Sequence, residues 1–139
     1  MVILDTNHYS EYLRNSAAGV RLRTKLDAIG AAGFLTIVTP EEVLSGWLAR
    51  IRGKLAPEKL LKAYTDFQEG IESLHEWTLL PWSIDASNIF DDLRRRGVRI
   101  GTLDLRIASI ALNYDALVLT RNRVDFERVP GLRVENWLD

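Results

Sequence analysis

The chain has 139 residues, 47% hydrophobic and 27% charged, with a formal net charge of −1. That length suits one domain, residues 1–139, with a core that buries roughly 68% of the unfolded surface. The near-neutral balance gives no global signal for a polyanion or a charged membrane surface, and the absence of cysteine excludes disulfides and thiolate metal sites.

"MVILDTN" lacks a basic segment followed by a long apolar one, so no signal peptide is expected. No apolar run approaches the ~18 residues of a membrane span, which points to a cytoplasmic protein with no membrane partner. "MVIL" (1–4) is a continuous apolar run rich in β-branched residues, as are "GFLTIV" (33–38) and "DALVLT" (115–120). Such runs fit strands covered on both faces. "WTLLPW" (77–82) is a weaker strand, and "LRVENW" (132–137) alternates like an edge strand.

Helical patterns fill the intervals. Residues 6–14 and 17–29 form a pair, and 40–51 starts at Thr39-Pro40, with Thr39 as N-cap and Pro40 in the first turn. Residues 57–75 place Leu60, Leu61, Tyr64, Phe67, Ile71 and Leu74 at helical spacing, a stripe that serves as core or docking face. Residues 84–96 repeat the pattern with Ile84, Ile89, Phe90 and Leu93. The next helix carries Leu103, Ile107, Ile110 and Tyr114 on one stripe, with Thr102 as its cap. Strands alternating with helices predict a three-layer α/β/α sandwich on a parallel sheet with right-handed crossovers.

In that architecture the strand ends and the following helix starts share one edge, where ligands bind. Asp5 ends the first strand, Glu41 and Glu42 open the helix after the second, and Asp104 opens another. Asn122 and Asp125 follow Thr120. Each has an ordinary structural use. Asp5 and Asp104 suit helix starts, Glu42 completes a capping box with Thr39, and Asp125 suits a turn. Together, several carboxylates at one edge repel, and a cation relieves them. Oxygen donors without cysteine or histidine select a hard ion, Mg²⁺ or Mn²⁺, and such ions activate water against phosphodiesters. The acids that reach this edge, Asp5, Glu41, Glu42, Asp104 and Asp125, are therefore candidates to share an ion.

No phosphate-binding G-x-x-x-x-G-K-[ST] or G-x-G-x-x-G motif is present, and no G-x-S-x-G. His8 and His75 lack metal spacing and read as surface or half-buried groups.

"VILDTN", the E-x-x-x-G of Glu42–Gly46, and "GTLDLRIASIAL" followed by "LVLTRNRVDFERVPGLRVENW" resemble the PIN-domain family, in particular the VapC-type toxin ribonucleases of type II toxin–antitoxin systems. The resemblance runs from residue 2 to about 138. It implies a Mg²⁺- or Mn²⁺-dependent endoribonuclease on about five parallel strands. By motif match Asp5 and Asp104 ligate metal and Glu42 completes an acidic triad. Glu42 is preferred to Glu41 because Gly46 lies four residues after it. Asn7 matches an Asn that supports the first Asp, and Thr6 and Thr120 match hydroxyl positions beside the site. Asn122 stands where many relatives have a fourth acid, which puts a second metal in doubt and leaves Asp125 as a supporting group. The resemblance further implies a cognate antitoxin and a homodimer.

For an RNA substrate, Arg106, Arg121 and Arg123 are the candidate phosphate contacts, ahead of the run Arg94, Arg95, Arg96 and Arg99, which suits a solvated helix C-terminus. Trp47, Trp77, Trp82 and Trp137 are not separable from core residues by sequence, so no base-stacking surface stands out. Two other readings stay open. One is a catalytically weak PIN-like domain that binds RNA or protein, kept open by Asn122. The other is a phosphohydrolase of small esters, disfavoured by the missing D-x-D.

Overall fold

A computed structural model describes all residues 1–139. Five short strands, β1 (Val2–Leu4), β2 (Gly33–Thr36), β3 (Leu79–Leu80), β4 (Leu117–Leu119) and β5 (Arg133–Glu135), form one sheet in the order β3-β2-β1-β4-β5. Every pairing is parallel, with Ile3 opposite Phe34 on one side and Val118 on the other. The helices are α1 (Thr6–Leu13), α2 (Ala17–Ile29), α3 (Val38–Arg52), α4 (Pro57–Leu74), α5 (Ile84–Arg95), α6 (Thr102–Asn113) and the single turn α7 (Arg123–Phe126). The family-wide expectation of a parallel sheet between helices holds, and β5 is indeed an edge strand with alternating exposure.

The alternation of strand side chains divides the core into two layers. Val2, Leu4, Leu35 and Leu119 pack with Tyr9, Leu22, Leu26, Leu74, Trp137 and Leu138 on one face. Ile3 and Val118 pack with Phe90, Leu93 and the apolar stripe of α6 on the other. Both faces of these strands are therefore dry, which is why their sequences read as unbroken apolar runs. Helix α6 is buried along Leu105, Ile107, Ala108, Ser109, Ile110 and Ala111. Its alanines leave only a methyl between the helix and its neighbours, and each buried Leu or Ile contributes roughly 1.5–3 kcal/mol.

Two expected helix starts differ. Helix α3 begins at Val38 with Ile37 as N-cap and no side-chain cap. The reason lies one strand-end earlier: the Thr36 hydroxyl accepts from the Val38 N–H at 3.3 Å, so the chain turns into the helix before Thr39. Thr39 is buried in the first turn and its Oγ1 has no hydrogen-bond partner. Likewise Gly101, not Thr102, caps α6, again without a side-chain bond; the Thr102 hydroxyl accepts from Arg94 instead.

Strand order places the site. The chain works outward from β1 through β2 to β3, then returns to the other side of β1 as β4. Order reverses between β1 and β4, and the crevice outside their carboxyl ends is where a doubly wound sheet holds ligands.

Candidate active site

Asp5 leaves β1 at this reversal. Its N–H donates to the Leu119 carbonyl of β4 at 3.0 Å, and its carboxylate caps α1 by accepting from the His8 N–H at 2.9 Å. The capping role and a site role are compatible, because the cap uses Oδ1 and leaves Oδ2. Asp5 is only 6% exposed. Glu42, in the second turn of α3, accepts from the Thr6 hydroxyl at 2.7 Å through Oε1. That contact replaces the expected capping box with Thr39 and ties α3 to α1. Asp104 enters from the first turn of α6, and Asn122 from the N-cap of α7. The Asn122 side-chain amide donates to Asp104 Oδ2 at 3.2 Å and to Asp125 Oδ2 at 3.0 Å.

Asp5, Thr6, Asn7, Glu42, Asp104, Ile107 and Asn122 line one small cavity of about 160 Å³. No cation of the chain lines it. Burial pushes the Glu42 carboxyl up from its ordinary value against the Thr6 bond, and Asp104, Asp5 and Glu41 push it further. Burial likewise raises Asp104 against the Asn122 bond, with Asp5 and Asp125 adding to the rise. The acids thus feel one another, as the sequence reading expects.

They do not, however, close on one point: no three acids of the chain stand where a shared ion would hold them all. One oxygen each of Asp5, Glu42 and Asp104 is held by a donor, and nothing offsets the repulsion among the rest. The donor set itself fits a hard divalent ion. Mg²⁺ takes one or two carboxylates and keeps several waters, so a lined cavity suits it better than a closed cage.

The remaining candidates separate. Asn7 faces the cavity but makes no bond to Asp5, whose support comes from His8. Thr120 is buried, its Oγ1 accepting from the Asn122 N–H at 2.9 Å, so it shapes the turn that carries Asn122. Asp125 lies behind Asn122 with Arg128 3.9 Å away. Arg121 is turned to Asp139, with Nε 3.2 Å from Oδ2, and stands 3.8 Å from Glu11. Arg123 pairs with Glu127 at 2.7 Å. Arg106 alone of the three has no carboxylate within ion-pair distance.

His8 is the group the sequence reading misplaced. It is fully buried, because its Nε2 accepts from the Trp137 N–H at 3.2 Å, a partner 129 positions away. The neutral ring therefore carries its proton on Nδ1, which lies 3.3 Å from Asp5 Oδ1 without closing a well-aligned bond. The only early signal was its position three residues after a capping Asp.

The PIN-domain family model matches residues 2–132. The chain belongs to the PIN-domain family. Within it the chain is of the VapC type, the ribonuclease toxins of type II toxin–antitoxin systems. This PIN domain is 30% identical over 135 residues to the tRNA(fMet)-specific endonuclease VapC of Salmonella typhimurium, covering 97% of this chain and 96% of the relative. Its fold matches DNA-bound VapBC of Salmonella typhimurium at TM-score 0.70 and 27% identity, over 98% of this chain and 97% of that one. VapBC2 of Rickettsia felis, solved with a promoter DNA fragment, matches at TM-score 0.73 and 22% identity, over 99% of both chains.

Proposed function

We propose that this chain hydrolyses RNA phosphodiester bonds with one Mg²⁺ or Mn²⁺ held by Asp5 and Asp104, with Glu42 as the third acid. The observation that carries the proposal is the single cavity at the strand-order reversal, lined by acids from β1, α3 and α6 and by no cation. A divalent ion bound there activates water and neutralises charge developing on the phosphate. Asp5 and Asp104 would hold the ion through the oxygens that the His8 N–H and the Asn122 amide leave free. Glu42 Oε2, left free by the Thr6 bond, takes a proton from the attacking water as the P–O bond to the leaving ribose oxygen breaks. That oxygen is protonated by solvent.

The substrate class follows from kinship with endonucleases that include a tRNA(fMet)-specific one. The proposed partner is a cognate antitoxin, since a chain of similar fold is solved as a toxin–antitoxin complex from Klebsiella pneumoniae. A homodimer rests on the family resemblance and is checked by light scattering. No helix is long and apolar enough to cross a membrane, and residues 1–139 are proposed to act as one domain in the cytoplasm.

Mixed RNA with Mn²⁺, with and without EDTA, tests the proposal against Asp5→Asn and Asp104→Asn. Wild type is expected to cut only with metal, and both variants are expected to lose cutting. Intact RNA with wild type, or cutting by the variants, refutes it. A second reading, an RNA- or protein-binding PIN domain with weak catalysis, is favoured by Asn122, which puts an amide donor between two acids; retained RNA binding without metal-dependent cutting selects it.

A further inference from the structure

A second cavity, of about 460 Å³, opens beside the acids and is lined by Ile37, Glu41, Trp82, Phe90, Asp91 and Arg106 among others. It lies at the same sheet edge, because Trp82 follows the carboxyl end of β3 as Asp5 follows that of β1, and the sheet is parallel. It also shares two helices with the acid site: Glu41 adjoins Glu42 on α3, and Arg106 follows Asp104 by two positions on α6.

We propose that this cavity takes one nucleoside of the single-stranded RNA substrate, its base stacked on Trp82 and its phosphate held by Arg106. The inference rests on the ribonuclease reading above. Trp82 is 38% exposed and Ile37 42%, two apolar side chains left facing solvent across one opening. Trp82 is held from behind by an edge-to-face contact with Phe90, centroids 5.6 Å apart at 82°, so its indole is a fixed surface rather than a loose one. Stacking on such a ring is sequence-tolerant and strong, since every base has a π-face. The Arg106 guanidinium lies 6.0 Å from the Phe90 centroid. Of the three leading candidates Arg106, Arg121 and Arg123, it is the one with no carboxylate within ion-pair distance. Glu41 and Asp91, on the cavity wall, offer acceptors to the N–H groups of a base edge. A volume of this size admits a nucleoside.

The test is binding of fluorescein-labelled single-stranded RNA hexamers in EDTA, where cutting does not intervene. Trp82→Ala is expected to weaken binding roughly 5- to 100-fold, the range of base–aromatic stacking. Trp82→Phe keeps an aromatic ring against Phe90 and is expected to recover most of the loss, with unchanged melting. Arg106→Gln is expected to weaken binding and to flatten the slope of log affinity on log salt by about 0.7, one single-strand phosphate contact. Unchanged affinity in Trp82→Ala, or an unchanged salt slope in Arg106→Gln, overturns the proposal. Absence of metal-dependent cutting by wild type, with Trp82-dependent binding intact, breaks the ribonuclease reading and leaves this one standing.

Discussion

Glu42 and Asp104 carry opposing demands at one point: each is buried enough to resist ionisation, and each needs charge to hold a cation. Both carboxyls are raised, burial first and neighbouring acids after. A carboxyl that is raised by folding stabilises the folded chain fully at pH below its unfolded value, and that contribution is lost as pH climbs through the raised folded value. The metal-free protein is thus under charge strain at neutral pH. Asp104→Asn or Glu42→Gln is expected to raise the melting temperature in EDTA at pH 7 and to change it little near pH 3. A fall at pH 7 would show that these acids are not in conflict. The groups behind the acids are equally exposed to test. Asn122→Ala is expected to lower Mn²⁺ affinity about 10- to 100-fold, as loss of the side-chain partner that holds Asp104 does, measured by calorimetry. Unaltered affinity removes its positioning role.

Among the elements, α3 and α4 form the tightest fit. Gly70 of α4 is buried under the Trp47 ring, and a Cβ there would lie 1.7 Å from it. Trp47 also stands edge-to-face on Phe67, centroids 6.3 Å apart. Gly70→Ala is expected to destabilise the chain by about 1–3 kcal/mol through overpacking, read by urea unfolding, and Glu42 on α3 moves with its helix. A neutral result would mean that Trp47 has room to turn away. At this scale much was legible in the sequence. Strands β1, β2 and β4 announced themselves because both faces are covered, and α6 because its apolar stripe runs unbroken. Helix starts were not, because Thr36, three residues upstream, took the turn into the helix that was assigned to Thr39. Nor were the arginines. Whether Arg121 meets a phosphate depends on Asp139 and Glu11, which only the folded chain brings to it. His8 looked like a surface group because its partner, Trp137, lies at the other end of the sequence.

Over the whole molecule, the parallel sheet gathers β1, β2, β3 and β4 so that their carboxyl ends meet one edge, and the acid cavity and the Trp82 cavity both open there. The C-terminal segment packs against the first two helices. Trp137 and Leu138 are buried against α1 and α2, Arg21 donates to the Leu138 carbonyl at 2.7 Å, and Trp137 holds the ring behind Asp5. Family membership, the sheet and the position of the acids agree with one another. The step from a lined cavity to a working centre is the cation. Calorimetric titration of the metal-free chain with Mn²⁺ tests it most directly. The account predicts one ion per chain, a melting temperature that rises with added Mn²⁺ as binding to the folded state requires, and loss of both effects in the Asp5→Asn/Asp104→Asn double variant. Binding that survives in that variant, or no binding by the wild-type chain, contradicts it.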